Sequence, residues 1–236
     1  MSITKKTLQI AIALSSVLYS FSAFAEEAPK VKVEGYIDSY YAFDTDMSML
    51  LDKDKKEVGP MVERGVTNAI GFRKNELNIN TAQLTASVDA DWYRARTTLS
   101  YGTIPRQSWT SYYFPLQEAN AGIKLVDNLW FDSGVFLTHV GGESLLPKNN
   151  WLSSLALTTM YEPFFQTGAK LSYKPVEQLE ACLHLLNGYG LMDDNNADKT
   201  LGWLFAYTPN TNFYLGWNGT VGNEQPTGTT AAVRFY

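Results

Sequence analysis

The residues best suited to nucleophilic or metal chemistry are few: two histidines, His139 and His184, and one cysteine, Cys182, in a chain of 236 residues. A serine hydrolase needs a serine hydroxyl against a histidine that a third group orients. His139 followed by Ser144 comes nearest, but Ser144 falls in a loop with no nucleophile-elbow context. His184 lies between Leu183 and Leu185 and is expected to be an inward, hydrogen-bonding residue. The histidines and the cysteine have no metal-ligand spacing. Gly141-Gly142 is an isolated pair at a strand end, not a phosphate-cradling loop. A lone cysteine forms no internal disulfide, so thiol chemistry has little support. These residues call for no cofactor and no metal, and a hydrolase site at the rim of the fold is the least supported alternative.

Charge at even spacing is the other chemistry on offer. Glu34, Asp38, Arg94, Arg96, Glu118, Lys124, Asp132 and Lys170 fall on the polar face of segments whose other face is apolar, together with Glu76, Asn78, Asn80, Gln166 and Glu180. If that polar face encloses a lumen, charges of both signs line it, and the charge nearest the constriction sets selectivity among small hydrophilic solutes. The alternative is that these charges pair across a narrow lumen and fill it, as inward side chains do in barrels of about eight strands. That would make a plugged, structural or adhesive barrel. Tyr36 and Tyr40 share a face and could form a sugar-binding track, whereas Trp92, Trp203 and Trp217 are expected among anchors at a water interface.

The elements that position these residues follow from a period of two. From Val33 to Phe43, Val33, Gly35, Ile37, Ser39, Tyr41 and Phe43 alternate with Glu34, Tyr36, Asp38, Tyr40 and Ala42. The rhythm recurs at 76–88, 93–102, 117–125, 129–139, 164–173, 179–187, 200–207, 213–221 and 229–236, which makes ten candidate strands. Each approaches the roughly 9 to 11 residues that a tilted strand needs to cross a bilayer. The connections alternate in length as well. Those around Asp89–Asp91, Val126–Asn128, Lys174–Gln178 and Thr208–Asn212 are tight and rich in Asp, Asn and Pro. Those at about 44–75, 103–116, 140–163, 188–199 and 222–228 are long and polar. Short turns at one end and long loops at the other are the asymmetry of transmembrane barrels, which a soluble sandwich has no reason to keep. The fold class expected is therefore all-β, an antiparallel up-and-down transmembrane β-barrel of about ten strands, either whole or part of a larger barrel. One loop differs: NNWLSSLALTTMYE at 149–162 predicts a short helix capped by Asn149 or Asn150, folded into the mouth or lying over the outer rim.

The start of the chain predicts the compartment. Lys5 and Lys6 precede an apolar run from Leu8 to Leu14, and small residues lead to Ala23-Phe24-Ala25, the pattern of a secretory signal peptide cleaved after Ala25. The domains expected are thus a leader at 1–25 and an outer-membrane barrel at 26–236. Without the leader, 19 basic and 24 acidic residues become 17 and 24, a net charge of −7 that does not suggest nucleic acid.

Several stretches carry a resemblance: GYIDSYYAFDTD, LQEANAGIKLVDNLWFDSGVFLTHVG, the NNW of the following loop, and YEPFFQTGAKLSYKPVEQLEACLHLLNG. Together they resemble the OmpL-like family of β-barrel porins of bacterial outer membranes, over roughly residues 33 to 222. The resemblance implies a porin-type barrel without a defined substrate and supplies no catalytic residues. The partners expected are outer-membrane lipid, small hydrophilic solutes and the barrel assembly machinery, which reads a terminal aromatic such as Tyr236. In that register Arg234 also faces lipid, at a cost of about 2 to 4 kcal/mol at the midplane. Hence a shortened copy of a longer barrel stands beside a complete ten-stranded one.

Overall fold

In the computed structural model the chain is described at residues 29, 31–43, 76–109, 113–153, 155–230 and 232–235. The leader expected at 1–25, the 44–75 connection and Tyr236 lie outside the described residues. Ten strands follow in order: β1 Val31–Tyr41, β2 Leu77–Asp89, β3 Tyr93–Tyr101, β4 Leu116–Val126, β5 Leu129–Leu137, β6 Phe165–Val176, β7 Leu179–Leu186, β8 Thr200–Asn210, β9 Phe213–Asn223 and β10 Val233–Phe235. Each pairs antiparallel with the next, giving one up-and-down sheet in sequence order. Among the described residues β1 pairs only with β2 and β10 only with β9, so the sheet is not closed.

Alternation decides which face meets lipid. On β7, Cys182, His184 and Leu186 are buried, whereas Leu183 and Leu185 are exposed. Leu99, Leu171, Leu201, Phe205, Leu215 and Trp217 continue that exposed apolar face around the sheet. Burying one such side chain is worth about 1.5 to 3 kcal/mol, so a band of them left open makes physical sense only against an apolar medium. The inner face carries buried polar residues instead, among them Thr85, Thr98, Asp132, Gln166 and Thr220. No helix among the described residues is long and apolar enough to cross a membrane; strands provide the crossing.

The tight connections all fall at one end. Asn128, with φ of 64°, takes the left-handed conformation that Asn tolerates and turns β4 into β5. At the opposite end the longer connections pack on one another. Ile104, Trp109, Leu145, Phe165 and Met192 form a buried apolar cluster there. The Trp109 and Phe165 rings lie 5.4 Å apart. Bulges shift the register at Asp38/Ser39 and at Thr98/Leu99, which the sequence rhythm alone does not reveal.

Three expectations need correction. The 103–116 connection contains a short helix, α1, at Thr103–Ser108, held by burial of Ile104 rather than by an apolar period. The helix expected at 149–162 is replaced by 3-10 turns at Pro147–Asn149 and Leu157–Tyr161. The cause is competition from distant side chains: Asn150 bonds Ser144 in place of a helix start, and the Glu143 carboxylate accepts from the Ala156 N–H and the Thr159 hydroxyl. The tenth strand spans three residues rather than 229–236, because Thr227 and Thr229 bond to Asn195 and Pro226 in a turn.

Candidate functional site

A polar row crosses the inner face at one height in the pairing. Arg94 of β3 stands opposite Gly122, then follow Asp132, Lys170, His184, Gly202 and Thr220 on β5 to β9. The row begins near the β2–β3 turn, is mid-strand on β5 and β6, and lies toward the long-loop end on β7 to β9, as it must in a tilted, staggered sheet.

At its first half the row walls a cavity of about 770 Å³. Asp89, Asn128, Lys174 and Glu177 at the turn end also line it. Arg94 donates through Nε to Asp132 Oδ1 at 2.6 Å and through Nη2 to Oδ2 at 2.5 Å, a forked pair. It is possible because Gly122, between them, has no side chain: a Cβ there would lie 2.8 Å from the Asp132 carboxylate carbon. Lys170 Nζ approaches the same carboxylate at 3.9 Å and lies over the Phe136 ring at 4.8 Å. The Arg94 guanidinium stacks on Trp130 at 4.5 Å. Beside this group, Arg96 Nε and the Thr98 hydroxyl both donate to Glu118 Oε2, each at 3.0 Å. Charges of both signs therefore stand fixed side by side on the inner face of β3 to β6, most of them neutralised in pairs.

The second half of the row is covered. The loop after β5 turns inward, and His139 Nε2 comes 3.1 Å from the carbonyl oxygen of Gly219 on β9. Those strands are four apart, on the order of 19 Å along a flat sheet. His139 Nδ1 contacts Gln166 Oε1 at 2.6 Å, and its ring stacks on His184 with centroids 3.9 Å apart and planes 14° apart. Gly141 N–H donates to Asn218 Oδ1, and Asn218 Nδ2 donates back to the Gly141 carbonyl. Burial holds the His139 imidazole below its usual pKa, against the pull of Gly219 and Gln166. Further along the same loop, Lys148 lies over the Tyr36 ring on β1 at 4.8 Å. The loop thus reaches strands near both edges of the sheet.

Of the residues expected to line a lumen, Arg94, Arg96, Glu118, Asp132 and Lys170 stand around one cavity. Glu34 pairs instead with its neighbour Lys32 at 2.8 Å and is exposed. Asp38 accepts from Asn80 on β2, and Lys124 lies 3.8 Å from Asp127 at the β4–β5 turn. None of these three lines that cavity. Ser144 Oγ accepts from Leu146 N–H and Asn149 Nδ2, while both His139 nitrogens face other partners, so no serine–histidine contact forms. His184 faces inward as expected, yet neither of its ring nitrogens has a hydrogen-bond partner. Sequence reasoning missed Gly122 and Gly202, whose signal was legible: inward positions without a side chain, on strands whose other inward residues include charged and bulky ones.

Comparison with known proteins adds one match. A family model described as "Putative beta-barrel porin-2, OmpL-like" matches residues 30–236. No curated protein and no solved structure matches the chain.

Proposed function

Because the chain belongs to the OmpL-like β-barrel porin family of bacterial outer membranes, we propose that it lets small hydrophilic solutes diffuse passively through its polar interior. The observation that carries this is the cavity beside the Arg94, Asp132 and Lys170 group. A diffusion pathway needs a wet, charged wall that binds nothing too tightly, and pairing most charges with neighbours along the wall meets that need. The lining cations and carboxylates would bias ion passage without a dedicated substrate pocket. Export through a leader cleaved after Ala25, and insertion by the barrel assembly machinery, belong to the same proposal. Mass measurement of protein purified from outer membranes should then give a chain beginning at Glu26.

One observation favours a second function, a structural or adhesive barrel with a plugged lumen: the inward loop, with the apolar cluster at the long-loop end, narrows the interior. Liposome swelling separates the two. Proteoliposomes holding the full chain should swell in small neutral sugars, more slowly as sugar size rises. Proteoliposomes that contain folded protein and never swell would leave the structural barrel standing.

A further inference from the structure

We propose that the segment Thr138–Gly142 is the gate of this passage and that protonation of His139 releases it, an inference that rests on the diffusion reading above. The segment lies across the inner face of β7, β8 and β9, and its middle is held by hydrogen bonds, His139 with Gln166 and Gly219 and Gly141 with Asn218, and by the stack of His139 on His184. Such a bar detaches without dismantling the apolar cluster.

The slot for the His139 ring exists because residue 202 is glycine. A Cβ there would lie 2.6 Å from His139 Cε1, 2.8 Å from Nε2 and 3.2 Å from His184 Cβ. Next to the slot, Gln166 Nε2, Thr220 Oγ1 and both nitrogens of His184 are buried without hydrogen-bond partners. Each such group costs free energy while the bar is in place and regains water when it leaves. The closed state is therefore held against an internal cost.

The charges around His139 set the direction. From β6 comes Lys170, the register neighbour of His184, and behind it on β5 is Asp132, already bound by Arg94 and Lys170. From β7 comes only the stacked imidazole of His184; β8 offers Gly202, and β9 offers Asn218, Gly219 and Thr220, none charged. Within the loop, the Glu162 carboxylate sits at Gly141, with Glu143 near it. Among the described residues no carboxylate bonds the His139 ring, Lys170 opposes a positive charge on it, and burial keeps it neutral. A released His139 in water protonates at about pH 6.5. Protons therefore favour the released loop as pH falls below that value, and the closed loop above it.

Single-channel recording on the refolded full chain tests this at about pH 7.5 and about pH 5, either side of the usual imidazole value. Wild type should gain several-fold in mean conductance on acidification. His139→Gln, which keeps an amide for Gln166 and Gly219 but takes no proton, should lose that response. Gly202→Ala, which fills the slot, should conduct at pH 7.5 as wild type does in acid. Wild-type conductance that is flat or falls in acid overturns the gate and leaves passive diffusion intact, as does an unchanged acid response in His139→Gln. If Gly202→Ala does not fold, His139→Gln still decides. Folded protein of all variants that is silent at both pH values overturns the gate and the diffusion reading together.

Discussion

Arg94 and Asp132 form their two hydrogen bonds from strands that are not neighbours: β4 runs between them, and the pair spans it at Gly122. The missing side chain is as much a part of the ion pair as the charges. Asp132 is buried and Arg94 is partly open, so solvent screens the pair from one side only.

Gly122→Ser should break this pair without touching a charge. The new side chain displaces Asp132, leaving a buried carboxylate with a poorer partner, at a cost of about 1 to 3 kcal/mol. A lower urea midpoint for loss of the heat-modifiable gel band is expected. A midpoint equal to wild type would mean that Asp132 relaxes freely.

Removing the cations should change selectivity. With Arg94→Ala and Arg96→Ala together, Glu118 and Asp132 lose their arginine partners, keeping only the Thr98 hydroxyl and Lys170, and the wall becomes more acidic. Reversal potentials in a salt gradient should shift toward cation preference, and Asp132→Asn should shift them the other way. Unchanged potentials would remove this wall from the constriction.

Glu162 gives the long loop a second pH dependence. Burial raises its pKa, helped by Glu143, and Oε2 has no hydrogen-bond partner. Because the folded value lies above the unfolded one, the stabilisation is fully present below the usual carboxylate value of about 4.3 and is lost as pH rises through the raised value. In a His139→Gln background, where residue 139 no longer titrates, the loop should be cut faster by protease as pH rises through the raised Glu162 value. Adding Glu162→Gln should make cutting slower and remove that rise.

Gly134 and Gly168 face each other between β5 and β6, with φ of 132° and 158°. A Cβ on Gly134 would press on the Ala119 backbone, 2.8 Å from Asn120 Cα. Gly134→Ala should therefore destabilise the barrel by about 1 to 3 kcal/mol, visible as a lower urea midpoint. No change would show that the backbone there relaxes at no cost.

The strands were legible because alternation is nearly continuous: from β1 to β9 the ends fall within three residues of those expected. The inward side of Arg94, Arg96, Glu118, Asp132 and Lys170 followed from the same parity. What parity cannot carry is position along the barrel axis. Glu34 and Lys124 share the inward parity but find local partners, Lys32 and Asp127. The loops were illegible for a different reason. Asn150, Glu143 and His139 take partners fixed only by tertiary folding, so no local pattern announces them. The three-residue β10 belongs here too, since Asn223 Oδ1 accepts from the Ala232 N–H just before it.

Single-channel recording across a planar bilayer tests the central claim most directly. Purified, heat-modifiable protein should produce discrete conductance steps whose ion preference shifts when Arg94 and Arg96 are replaced. Folded protein that inserts and yields no steps at any pH would contradict a solute pathway through this interior.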